Sequence, residues 1–210
     1  NLPFKFFSSD KSKILKFRFS SNSLKILYRD LNLYIIKFCL FIYNKDMIIF
    51  LKNKHTLKID SFYFKCSIGK NGLDKKKIEG DRKTPKGTFK IEHLYYRKDR
   101  VKLPKTYLKT IEIKPDMGWS DDINFPNKYN KLIKINKKIH HEQLFRDDYK
   151  YDLLIPIKYN FNKIILGKGS CIFIHLTNNY NPTAGCIALQ KKDFLIMLKL
   201  INKNTRISIY

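Results

Sequence analysis

The chain has 210 residues, with 43 Lys+Arg against 18 Asp+Glu and a formal charge of +25. That length suits one ordinary domain with a substantial core, and the four cysteines (Cys39, Cys66, Cys171, Cys186) form no CxxC pair, which supports neither a thioredoxin motif nor a four-cysteine zinc site. The charge has two readings: an anionic partner such as nucleic acid, anionic lipid or wall polymer, or codon drift, since lysine is spread along the whole chain and Lys, Asn, Ile, Phe and Tyr are abundant together.

Residues 1–46 carry nine Lys/Arg and three Asp, and the first methionine is Met47. They read as a basic, poorly ordered or weakly helical tail ahead of a domain over residues 47–210. The apolar run Leu33 to Tyr43, broken by Lys37, is shorter than the ~20 residues of a membrane span. It resembles the centre of an export signal but lacks a small-residue cleavage site. An uncleaved membrane anchor is the alternative.

From Met47 onward the pattern is mostly strand. Phe62, Phe64, Cys66 and Ile68 alternate with Tyr63, Lys65 and Ser67, the period of a half-buried strand. Strands are also predicted over Thr88 to Tyr95, Lys109 to Ile113, Leu153 to Ile157, Ile172 to Leu176 and Thr205 to Tyr210. Gly80-Asp81-Arg82-Lys83-Thr84-Pro85-Lys86-Gly87 is a polar turn leading into one of them, with glycines that permit positive φ and a proline that fixes its own. Pro115 to Tyr151 reads as a long polar and aromatic segment. It is either a wall or lid of a site, or a solvated insertion anchored by Trp119 and Phe145. His140-His141-Glu142 is a weak metal signal, because adjacent residues of a strand point to opposite faces. Gly167-Lys168-Gly169-Ser170 is a turn without phosphate-loop spacing. Cys66 and Cys171 read as core residues, with a disulfide between them left open.

The chemistry-bearing stretch follows. His175 ends the apolar run Cys171 to Leu176, and Cys186 stands eleven residues later, after the small-residue turn Pro182 to Gly185. Two adjacent strands would place an imidazole beside a thiol, and the thiolate is the nucleophile. Backbone N–H groups around Gly185 and Cys186 could form an oxyanion hole. Phe194, Leu195, Leu198 and Ile201 then follow helical spacing over Lys191 to Ile201.

The Gly-Asp-x-x-Thr-Pro-x-Gly-x-Phe segment at 80–89, His175, the Thr183-Ala184-Gly185-Cys186-Ile187 turn and Asp193 opening a helix together resemble the L,D-transpeptidase catalytic domain (YkuD-type) from about Phe62 to Tyr210. The resemblance implies a mainly β fold, the L,D-transpeptidase β-sandwich, with a short helix after the nucleophile strand. It implies Cys186 as nucleophile, His175 as general base, and Thr183 and Gly185 as shapers of the turn, with Asp81, Thr84, Pro85 and Gly87 in a supporting loop. Three features depart from the family pattern: Ala184 stands where many members have histidine, Ala188 where many have arginine, and the His–Cys loop is short. Within 115–151, Trp119-Ser120-Asp121-Asp122 and His141-Glu142-Gln143-Leu144-Phe145-Arg146-Asp147-Asp148 match a pattern shared by one branch of the family. There Arg146 would bind a stem-peptide carboxylate, with Trp119, Asp121, His141 and Glu142 as further substrate-binding residues.

The implied activity is acyl transfer that cross-links peptidoglycan stem peptides in the periplasm or cell envelope. No metal or organic cofactor is required, no nucleic-acid partner is expected, and membrane association is expected only through the tail. Two alternatives stand: a peptidoglycan peptidase or amidase using the same Cys/His pair, and a non-catalytic basic wall-binding module.

Overall fold

The computed structural model describes residues 33–34, 46–75 and 78–210, so nearly all of the expected tail, including most of the Leu33 to Tyr43 run, lies outside the described residues. Strands β1 (Ile48–Asn53), β2 (Thr56–Ile59) and β3 (Phe62–Ser67) form an antiparallel meander. Ile49, Leu51, Leu57, Ile59, Phe64 and Cys66 are its buried alternate residues, as the period-2 pleat dictates. Two-residue strands β4 (Leu73–Asp74) and β5 (Thr84–Pro85) pair in parallel and fix the 80–87 turn.

The run expected as one strand over 88–95 is two, β6 (Gly87–Lys90) and β7 (Leu94–Tyr96). They pair with different partners, and Ile91, bridged to Ile157, lies at the changeover. After β8 (Thr110–Glu112), the long polar segment is more ordered than a loop. It carries a three-stranded antiparallel sheet, β9 (Met117–Ser120), β10 (Leu132–Lys134) and β11 (His141–Gln143), with β9 in the middle, then a 3-10 turn at Tyr149–Tyr151. The chain continues through β12 (Leu153–Pro156), β13 (Phe173–Leu176), β14 (Ile187–Leu189), helix α1 (Lys191–Leu200) and β15 (Arg206–Ile209).

The ten-strand order β6-β15-β1-β2-β3-β14-β13-β12-β7-β8 makes one hydrogen-bonded sheet. Its two halves share a core. Ile49, Leu57 and Ile207 from one half meet Leu153, Ile155, Ile174 and Ile187 from the other, and α1 adds Phe194, Met197 and Leu198. The sheet therefore curls onto itself as a sandwich, and the fold is mainly β with a short helix directly after β14.

A second cluster covers the opposite face of the later half: Tyr95, Ile113, Trp119, Leu144, Tyr151, Leu154, Phe173 and Cys186. Alternation along β13 splits its residues between the two. Ile174 and Leu176 enter the main core, while Phe173 packs on Trp119 and both Phe173 and His175 pack on Tyr151. Among the described residues no helix is long and apolar enough to cross a membrane.

Candidate active site

Strands β13 and β14 are parallel neighbours, with Ile174 opposite Ile187 and His175 opposite Ala188. Continuing that register sets Cys186 beside Phe173, and the Phe173 N–H points at the Cys186 sulfur, 3.3 Å away. Residues two apart on a strand share a face, so Cys186 and His175 lie on one surface. A strand spacing of ~4.8 Å and a rise of ~3.3 Å per residue put them about 8 Å apart at the backbone.

The imidazole is fixed by its own strand. Nδ1 lies 2.8 Å from the Leu176 carbonyl oxygen. A carbonyl only accepts, so Nδ1 carries the hydrogen and Nε2 keeps the lone pair. His175 is buried, and this burial pulls its pKa down to about 4, with the charges of Lys150 and Arg146 acting in the same direction and the Leu176 bond opposing. At neutral pH the ring is an uncharged base. The Cys186 thiol donates to the Cys171 carbonyl at 3.2 Å. The sulfur thus sits between a donor, Phe173 N–H, and an acceptor. Cys171 holds φ at 52°, a left-handed value that is unfavourable for a side-chain-bearing residue.

Cys66 and Cys171 are free thiols, so the disulfide left open by the sequence does not form. They belong to opposite faces of the sheet, Cys66 in the main core and Cys171 against the second cluster. Burial pushes the Cys66 thiol up to about 12 and the Cys171 thiol well above its ordinary value.

The turn before Cys186 is held from three directions. Thr183 Oγ1 donates to the Cys186 carbonyl at 2.6 Å and accepts from the Gly185 N–H at 3.1 Å. The Gly185 N–H, expected as an oxyanion donor, is therefore engaged within the turn. Thr183 N–H donates to the Ile68 carbonyl, and Lys70 N–H donates to the Thr183 carbonyl, which zips the turn to the chain following β3. Thr84, wholly buried, donates from Oγ1 to the Gly185 carbonyl at 2.8 Å and accepts from Gly69 N–H at 2.9 Å. In a trans peptide C=O and N–H point oppositely, so this bond sets the direction of the Cys186 N–H. Gly185 has φ of 141°, where a side chain is strained. Asp81 supports Thr84 by accepting from the N–H groups of Ile78 and Lys83.

The 115–151 segment lies on the Cys186 side of the sheet. Trp119 is buried in the same cluster as Cys186, packs edge-on against Tyr95 and Phe173, and donates from Nε1 to Asn130. It forms floor beneath the site. Arg146 grips Asp148 with Nε and one terminal nitrogen, and Glu142 with the other, and lies over the Tyr151 ring that packs on His175. Those bonds to Asp148 hold that carboxyl below its usual range and the guanidinium above its own. His141 Nδ1 is bonded to the Ile139 carbonyl. Asp121 is bonded to His140, which raises the pKa of that histidine. Tyr151, Phe173 N–H and the carbonyls of Cys171 and Leu176 are site groups that the sequence reading missed. The backbone groups have no residue-type signature, and Tyr151 closed a segment read as loop.

The model of one protein family, the L,D-transpeptidase catalytic domain (YkuD), matches residues 43–209. No curated protein and no solved structure matches the chain. The matched stretch is most of the chain, which belongs to this family; membership implies a peptidoglycan-related substrate, and the family generally acts on the cell wall.

Proposed function

We propose that this member of the L,D-transpeptidase family cross-links peptidoglycan stem peptides by cysteine acyl transfer, with residues 47–210 as the catalytic domain, working in the periplasm or envelope. One observation supports the reading: Cys186 and His175 share a face of adjacent strands, with the imidazole held neutral and its Nδ1 engaged, which leaves Nε2 with its lone pair.

In this reading Nε2 takes the thiol proton as Cys186 sulfur attacks the carbonyl of an L-centre joined to a following residue, typically diaminopimelate to D-alanine. The oxyanion is met by the Cys186 N–H, whose direction Thr84 sets through the Gly185 carbonyl. The C–N bond breaks, and His175 returns the proton to the leaving amine, freeing D-alanine and leaving a thioester. An acceptor amine attacks the thioester, passes a proton to Nε2, and releases the thiolate as the new amide forms. Phe173 N–H supports the thiolate whenever it is present. Arg146, Glu142, His141 and Asp121 form the wall against which the stem peptide lies, and Trp119 supports that wall from beneath.

The test is mass spectrometry of disaccharide-tetrapeptide incubated with the full chain, using Cys186→Ala as control. Cys186-dependent cross-linked dimers are expected. Loss of a covalent nucleophile should remove turnover by far more than about tenfold; a Cys186→Ala protein within tenfold of the parent overturns the assignment. Shortened monomers without dimers make the protein a peptidase.

A further inference from the structure

One cleft lies beside the nucleophile turn but outside the chemistry just described. It has a volume of about 430 Å³, within the ordinary range for ligand sites. Lys54 and His55 come to it from the β1–β2 turn, Lys70 and Asn71 from the turn after β3, and Tyr180 and Pro182 from the His–Cys loop. Among the described residues no carboxylate lines it, and neither Lys54 nor Lys70 forms an ion pair with a described residue.

Its floor is unusual. Ser67 is 6% exposed, and its Oγ is the one buried side-chain polar atom among the described residues without a hydrogen-bond partner. Burying a hydroxyl unpaired costs about 1–3 kcal/mol, so such groups generally have partners. Register locates this hydroxyl with respect to the chemistry. Ser67 is opposite Ala188, and Ala188 is opposite His175. Directly opposed residues share a face, so Ser67 stands on the His175 surface with only a methyl group between them. Two strand spacings put it about 10 Å from His175, and one spacing and two rises put it about 8 Å from Cys186. The cleft is also tied to the turn, since Gly69 bridges Thr183.

We infer that this cleft binds a carboxylate of the substrate peptide, with the Ser67 hydroxyl donating to it and the Lys54 and Lys70 ammonium groups neutralising it. The inference rests on the acyl-transfer reading for its choice of peptide. A chain whose scissile carbonyl sits at Cys186 covers about 8 Å in about two residues, at ~3.5 Å each. The bound carboxylate therefore belongs to a residue about two positions from the acyl carbon. This makes the site a reader of whether that carboxylate is free or amidated.

The test uses the full chain with Cys186→Ala, so that binding is measured without turnover. A tetrapeptide stem with free carboxylates is titrated calorimetrically against the same stem with its carboxylates amidated. The free form should bind about tenfold tighter at low salt, and the advantage should vanish in a Lys54→Gln/Lys70→Gln protein. Ser67→Ala should weaken the free form about threefold while leaving the melting temperature unchanged or higher, because the lost hydroxyl has no partner to strand. Equal affinity for the two stems, or an advantage that survives in the double variant, overturns the inference. Tight binding of a glycerol-phosphate polymer that the free stem cannot displace also overturns it, in favour of a phosphate ligand. A free-carboxylate preference with no turnover by intact Cys186 upholds the cleft and sinks only the transpeptidase reading.

Discussion

Replacing Thr84 by valine keeps the side-chain shape and deletes one oxygen. That oxygen joins two backbone groups far apart in the chain, the N–H of Gly69 and the carbonyl of Gly185, at a position with no solvent exposure. Each stranded buried group costs about 1–3 kcal/mol, so the variant should lose ~2–6 kcal/mol of stability, towards the lower figure if the loop relaxes. The kinetic effect is more specific. Without the Thr84 bond the Gly185–Cys186 peptide keeps only its Thr183 anchors, and the Cys186 N–H is less firmly aimed at the developing oxyanion. Loss of one oriented donor costs about 10²–10³ in kcat, so partial misalignment should lower kcat by ~10–100-fold. KM should move less than about threefold, because the ground-state carbonyl makes little use of that donor. Stopped-flow acylation, run well below the melting temperature of the variant, measures this. Thr84→Ser should recover most of the rate. A folded Thr84→Val protein with parental kcat, or a serine variant as slow as valine, refutes the reasoning.

Protonation of His175 should make stability depend on pH. Its pKa falls from 6.5 to about 4 on folding, so below pH 6.5 the unfolded chain takes a proton that the native state refuses. The contribution, roughly 3 kcal/mol, is fully present above pH 6.5 and is lost as pH falls towards 4. Urea melts should show the parent losing roughly that much stability relative to His175→Leu as pH falls through that window; a difference that does not change with pH refutes it. Gly69→Ala should destabilise the domain by about 1–3 kcal/mol or more, since a Cβ there would stand 2.5 Å from the Arg82 carbonyl oxygen and 2.9 Å from the Thr84 nitrogen, both backbone. A denaturation midpoint equal to that of the parent shows that the 80–87 turn moves aside at no cost.

Much of the site was legible because its residue types and spacing are constrained by chemistry. The apolar run ending in His175 and the small-residue turn before Cys186 imply adjacent strands and a shared surface, as the β13–β14 pairing has it. Asp81, Thr84, Pro85 and Gly87 read as a supporting loop; the direct Thr84–Gly185 bond joins positions too far apart in the chain for spacing to announce. The break between β6 and β7 was not legible, because nothing in Thr88 to Tyr95 is a glycine or proline and the strand changes partners without changing character. Strands β9 to β11 escaped because segments of three or four residues are too short to display a period. The ordering of Arg146 was half visible. Its acidic neighbours stand in the chain for any reader, but their preference for Arg146 itself is a matter of geometry.

Strand β15 lies between β1 and β6, parallel to the first and antiparallel to the second, and not at an edge of the sheet. The sheet half that begins with Ile48 therefore cannot close until the chain has been made through Ile209. Contacts of such sequence separation form late and slowly. During synthesis the domain emerges as far as α1 with β1 and β6 still lacking the strand that joins them. The thiol turn depends on Gly69 and Thr84 in that same early half. A nascent chain should thus carry Cys186 as an ordinary, unaimed cysteine until Arg206 to Ile209 have joined β1 to β6.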